Sequence, residues 1–310
     1  MPKRSAFFDA KDYELLRMVN MILERDRTEP AKYAEKLLDP DLHPHGIKEL
    51  ALSYDKRIAY AVIDLLESLE AGLAEDRLIA LENLHDEVLY GTMTNFRYNT
   101  GRALVQIMKE IVRAHGDFDL QLRLAHDFRM ATSGRRRVVR ALLKRYHLLE
   151  MPEEWNQQAF DDHVHDANTK GRKSPTHLIM DAWIKGLRSI KVIYYNFVRP
   201  TSAQELMRAA AIMHMQVRIG VEFKTRFRGR YVDIIWQPTD FSDHHELAAF
   251  LNESETTRLM SLGQEASRFN DQYVFALLEA YNGTHRVDIG NRFGITLPEI
   301  SREEFLSYVG

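Results

Sequence analysis

The sequence predicts an α/β protein in two parts, a helical amino-terminal domain over residues 1–150 and an α/β domain over residues 151–310. Two observations carry that expectation. Through the first half, apolar residues recur at steps of three and four with almost no strand-like alternation. Beyond Met151-Pro152-Glu153-Glu154, where proline and charge interrupt the helical pattern, helical stretches alternate with short strand-like runs.

In the first part, Leu15, Val19, Ile22 and Leu23 form one helical stripe. Ile58, Val62, Leu65, Leu66 and Leu69 form a second, and Leu104, Ile107, Met108, Ile111 and Val112 a third. Breaks at Glu29-Pro30, Gly72 and His115-Gly116-Asp117 predict antiparallel neighbours in a bundle or an irregular helical array, and no fixed-period repeat is present. In the second part, Phe160 to Asp166 reads as a strand end. Ser174-Pro175 opens a helix with stripe Leu178, Ile179, Ala182 and Trp183, and Gly186 stops it. Ser189 to Tyr195 reads as a buried strand. Ser202-Ala203-Gln204-Glu205 reads as a capping box for a helix whose apolar face is Leu206, Ala209, Ala210 and Met213. Val217, Ile219 and Val221 alternate as a strand with Glu222 at its end, and Tyr231 to Trp236 reads as another strand. The remainder is mostly helical, with Ser242-Asp243 capping a helix that carries Leu247 and Phe250.

Composition narrows the functional classes. Of 310 residues, 45% are hydrophobic, enough for sizeable cores, and no run of eighteen apolar residues or export signal appears, so a cytoplasmic protein without membrane spans is expected. The absence of cysteine excludes disulfides and thiolate metal sites. A formal charge of −3 gives no global attraction to nucleic acid, so any such binding must be local.

The stretch Asp161-Asp162-His163-Val164-His165-Asp166 carries the main chemical signal. Side chains at i and i+2 of a strand share a side, so His163 and His165 could converge on one ion, and nitrogen with carboxylate ligands suits zinc, manganese or iron. The alternative is a strand-end pair hydrogen-bonded to nearby carboxylates. The similar letters Asp41-Leu42-His43-Pro44-His45-Gly46 lie between helical patterns with proline separating the histidines, and read as a helix-to-helix turn.

Taken in order, Asp161 to His165, Gly171 to Pro175, Gly186, Ile190 to Asn196, and Gly220-Val221-Glu222 resemble the amino-terminal half of the PHP family, the polymerase and histidinol phosphatase domain of metal-dependent phosphoesterases. The resemblance spans about residues 156–240. It implies a PHP-like domain, a partial TIM-like β/α barrel, and a divalent metal held by His163, His165 and Glu222, with Asp233 as a substitute ligand. Metal-bound water would hydrolyse a phosphate ester, and Arg226 or Arg228, beside Lys224 and Arg230, would orient the substrate phosphate of a phosphorylated small molecule or nucleotide. A solvated hairpin is the other reading of that basic segment. Where the family has its second Asp-His pair, this chain has Tyr194-Tyr195, and the family's later histidine and aspartate ligands have no counterpart after Trp236. The chain is therefore read either as part of something longer or as a reduced relative. In the second case the domain is a non-catalytic scaffold that binds a ligand or protein. A partial barrel leaves a sheet edge for a further carboxy-terminal segment, a covering helix or a partner chain. A third reading is nucleic-acid binding through Arg136, Arg140 and Lys144, at i, i+4 and i+8 on a helix, for which a solvated face paired with acids is the alternative.

Overall fold

A computed structural model describes residues 8–24, 42, 46–71, 73–92, 94–151, 159–169, 171–239, 241 and 243–309. The breaks at Glu29-Pro30 and Gly72, the Pro152-Glu153-Glu154 junction, and Asp41 with residues 43–45 of the second histidine motif lie outside them. The chain is mostly helical, with a small curled four-stranded mixed sheet in its second half.

The helical half forms where the stripes place it. The helix Ala10–Leu23 starts at Asp9, whose carboxylate accepts from the amides of Lys11 and Asp12, and it buries Leu15, Leu16, Val19 and Ile22. Tyr54–Ala71 packs on Ala74–Tyr90, Arg97–Arg113 on Phe118–Thr132, and Arg136–Arg145 closes against both of the latter. Leu104, Ile107, Met108 and Ile111 are fully buried, as a 3.6-residue stripe requires.

The sheet follows the order β1-β2-β3-β4: Phe160–Val164, Ser189–Tyr195, Gln216–Phe227 and Arg230–Trp236. The first three strands are parallel and joined by the helices Pro175–Lys185 and Pro200–Ile212. Ser174 caps the first of these through the amide of His177, and Gly186 ends it with φ of 92°. Ile190, Val192 and Tyr194 of β2, with Ile219 and Val221 of β3, face these helices and join the same apolar core as Leu84, Leu104 and Trp183. Lys191, Ile193, Tyr195 and Glu222 alternate onto the other face.

Three local expectations change. The Pro200–Ile212 helix begins two residues before the expected capping box, because Pro200 at its first position presets the helical φ and Arg199 holds the extended N-cap. Ser202 is thereby buried within the first turn, and Glu205 turns inward instead of capping. Strand β3 does not end at Glu222 but runs on to Phe227. It then reverses through Arg228 and Gly229, with φ of 48° and 80°, the paired positive values of a tight two-residue hairpin. β4 therefore runs antiparallel to β3, whereas a β/α barrel continues in parallel. After Asp243 caps His244–Leu251, the chain is helical through Ser254–Ala280, a π turn at Tyr281–His285, Arg286–Phe293 and Arg302–Val309.

Glu205 is a buried carboxylate that joins the two halves. Glu205 accepts from Arg77 Nε and a second guanidinium nitrogen, both at 2.9 Å, and from the Thr176 hydroxyl at 2.8 Å. Burial alone would push this carboxyl up, but Arg77 and Thr176 outweigh burial and hold it below the usual glutamate value. Replacing Glu205 with alanine removes the carboxylate to which Arg77 and Thr176 donate. We expect a loss of about 3–5 kcal/mol in urea unfolding at pH 7, with the Glu205→Gln variant retaining more stability than Glu205→Ala.

Candidate functional site

The carboxy-terminal ends of β1 and β2 meet mid-β3, and this junction gathers most of the residues that the motif order singles out. His163 lies at the end of β1 with Nε2 3.8 Å from Glu222 Oε2, and its ring centroid is 5.0 Å from that of His165. Glu222 is the last residue of the β2–β3 ladder, opposite Tyr195. His163 is half exposed and Glu222 largely covered.

His165 is held from two sides. Its Nδ1 lies 2.8 Å from the carbonyl oxygen of Ile193, which requires a proton on Nδ1 and leaves Nε2 as the acceptor. That nitrogen stands 3.3 Å from the Tyr195 hydroxyl, and the two rings stack with centroids 4.9 Å apart and an interplanar angle of 22°. The Nδ1 contact has the form that orients metal-binding imidazoles, but Nε2 faces Tyr195. Among the described residues, no three His, Asp or Glu side chains are arranged to hold a metal ion. His163, His165 and Glu222 have suitable donor atoms, yet as placed they do not form a ligand set.

The adjacent tyrosines divide between the two faces. Tyr195 covers His165, while Tyr194 is buried on the helix side and its hydroxyl donates to Asp166 Oδ2 at 2.6 Å. Asp166 also accepts from the Asn168 amide at 2.8 Å, forming a turn. Its backbone carbonyl receives the Gly171 amide at 2.8 Å, and a side chain at Gly171 would run into the backbone of His165 and Asp166. Burial raises the Asp166 carboxyl above its ordinary value despite the hydrogen bonds of Tyr194 and Asn168. Burial, and then the charge of Asp166, pushes the Tyr194 hydroxyl well above its own. Asp166 flanks the histidine motif in sequence, but its role in bracing the β1 end depends on Tyr194, 28 residues away.

The remaining candidates are not brought to the histidines. Asp233 lies opposite Lys224 on the exposed hairpin, 3.8 Å from its ammonium. Arg226 is four residues beyond Glu222 along β3, about 13 Å at strand rise, and Arg228 is in the hairpin turn. Arg226 stacks over Tyr231 and Arg228 over Phe227, at 5.9 and 5.3 Å. In the helical half, Arg136 and Arg140 lie over the Phe96 ring at 5.7 and 5.8 Å, Arg140 pairs with Glu150 at 2.7 Å, and Lys144 is exposed. A cavity of about 520 Å³ opens beside that helix, lined by Phe8, His126, Met130, Arg137 and Arg145 among others.

A buried charge cluster beneath the β1–β2 connection escaped the sequence reading. Asp181 accepts from Lys109 and Lys173, and His177 Nε2 lies 3.6 Å from the same carboxylate without a hydrogen-bond partner. Burial, with Lys109, Lys173 and Arg113 adding to it, brings His177 down to about 4 against the pull of Asp181. Only the i,i+4 spacing of His177 and Asp181 hinted at this, because Lys109 comes from a distant helix.

No family model, curated protein or solved structure matches this chain.

Two outcomes follow. Tyr194→Phe leaves the buried Asp166 oxygen without its donor and should cost about 1–3 kcal/mol in urea unfolding, while far-ultraviolet circular dichroism stays unchanged. His177 has a folded value of about 4 against 6.5 unfolded, so its contribution is complete above pH 6.5 and is lost as pH falls towards 4. Wild-type stability should drop by roughly 2–3 kcal/mol across that window, and His177→Gln should flatten this part of the pH–stability curve.

Proposed function

We propose that this chain is a non-catalytic binding module, built on a PHP-like half-barrel, that takes a phosphorylated small molecule. The order of the parallel β1-α-β2-α-β3 unit, with His163 and His165 at the first strand end and Glu222 on the third, supports the PHP-like reading. The observation that carries the binding-module reading is the Tyr195 hydroxyl at His165 Nε2, the nitrogen that a metal would need. Asp233, the substitute ligand, is engaged by Lys224. Arg226 and Arg228 also sit too far along the hairpin to hold a phosphate against the histidines.

The same hairpin supports the choice of ligand. Arg226 and Arg228 have aromatic rings but no carboxylate against their guanidinium groups among the described residues, so both keep their hydrogen-bond donors for an anion. Stacking on Tyr231 and Phe227 limits their rotamers and lowers the entropy lost on capturing a phosphate.

The test combines two measurements on the full chain. Titration calorimetry with inorganic pyrophosphate should give saturable binding that weakens with salt and falls at least about tenfold in Arg226→Gln/Arg228→Gln, a loss of about 1.4 kcal/mol. Mass-spectrometric metal analysis should find no stoichiometric zinc, manganese or iron in the wild type. Stoichiometric metal that disappears in His163→Ala/His165→Ala would reject the binding-module reading in favour of a metal-dependent phosphoesterase. Binding unaffected by the arginine substitutions would reject the hairpin as the anion site.

A further inference from the structure

The helix Ser254–Ala280 has two unlike faces. One packs on the chain that leaves β2: Ser267 accepts from the Asn196 side-chain amide at 3.1 Å, and the Val198 amide reaches the Met260 sulfur at 3.3 Å. The opposite face carries Leu259, Leu262, Ala266, Phe269, Tyr273 and Ala276, at alternating steps of three and four residues. That spacing is the heptad seam by which one helix packs along another. Among the described residues the seam has no partner: Leu262 is 56% exposed, Phe269 67% and Tyr273 58%.

We infer that this seam is a self-association surface, and that its occupant is the same helix of a second copy running antiparallel. Three features favour a second copy. A two-fold axis between residues 267 and 268 sets Phe269 against the partner's Ala266. The same axis sets Leu259 against the partner's Ala276, so bulk meets space at the centre and at both ends of the contact, with Leu262 and the partner's Tyr273 as an apolar pair between them. The flanks carry no block of like charge to oppose pairing, with Arg258, Glu265 and Gln272 on one side and Asn270 and Leu277 on the other, where Gly263 lies against the Asn196 backbone of its own chain. The exposed area is also of the right order. Phe269 and Tyr273 alone offer roughly 250 Å² at about 200 Å² per aromatic side chain. With the leucines and the flanks, the seam approaches the ~800 Å² that each partner contributes to a stable interface. A stripe of this size standing in water is unusual for a monomer.

The inference is independent of the ligand site, because the seam points away from β2 and uses none of the histidine or hairpin residues. Sedimentation equilibrium of the full chain at micromolar concentration should give twice the 36.2 kDa chain mass. Phe269→Glu/Tyr273→Glu should halve that mass without changing circular dichroism, since both side chains are exposed. As the chain has no cysteine, Ala266→Cys introduces a single thiol, and a short bis-maleimide should join two chains through it. A wild type that sediments at 36.2 kDa would overturn the proposal. So would a dimer that survives the double substitution, or one that Ala266→Cys fails to cross-link.

Discussion

The Glu205 carboxylate is the contact on which the arrangement of the two halves depends. It sits on the helix between β2 and β3, yet its partners are Arg77 from the helical half and Thr176 from the helix between β1 and β2. An ionised carboxylate at this depth is tolerated only because both oxygens are engaged, by the two arms of the Arg77 guanidinium, with the Thr176 hydroxyl and amide also donating to Oε1. The geometry of that fork fixes how the Ala74–Tyr90 helix lies on the β/α unit. Arg208 with Glu75, at 2.6 and 2.8 Å, repeats the same link at the surface, where solvent screens it.

A second constraint comes from the way the sheet ends. A parallel sheet needs helices on its faces, and two crossover helices cover only one face here. The tight turn at Arg228-Gly229 sends β4 back antiparallel, and the hairpin beyond Glu222 extends past the end of β2. Side chains there stay exposed, Phe227 and Tyr231 among them. The same turn that ends the parallel run thus creates the basic, aromatic finger and separates its arginines from the histidines.

At the strand ends, a one-residue step determines the chemistry. Tyr194 and Tyr195 are neighbours in sequence, but the pleat sends them to opposite faces. Tyr194 anchors Asp166 in the core, and Tyr195 lies flat on His165. The histidine whose Nδ1 is held as in a metal-binding imidazole is consequently the one whose other nitrogen is already engaged.

Local periodicity was enough to determine much of this protein from sequence. The buried stripes of the helical half, the limits of β2, the Ser174-Pro175 start and Gly186 stop, and the Asp243 cap all follow from residue patterns a few positions long, because those patterns report the burial and capping of a single element. Motif order also brought His163, His165 and Glu222 near one another, since parallel β/α units place strand ends side by side. Tertiary structure alone decided what depends on partners far along the chain. Pro200 and Arg77 together turned Glu205 from a cap into a buried link, and the hairpin turn reversed β4 and removed Asp233 from the site. Tyr195 closed over His165, and Lys109 reached Asp181 from 72 residues away. The physical reason is that hydrogen bonds and ion pairs are satisfied by proximity in space, which residue spacing encodes only within an element.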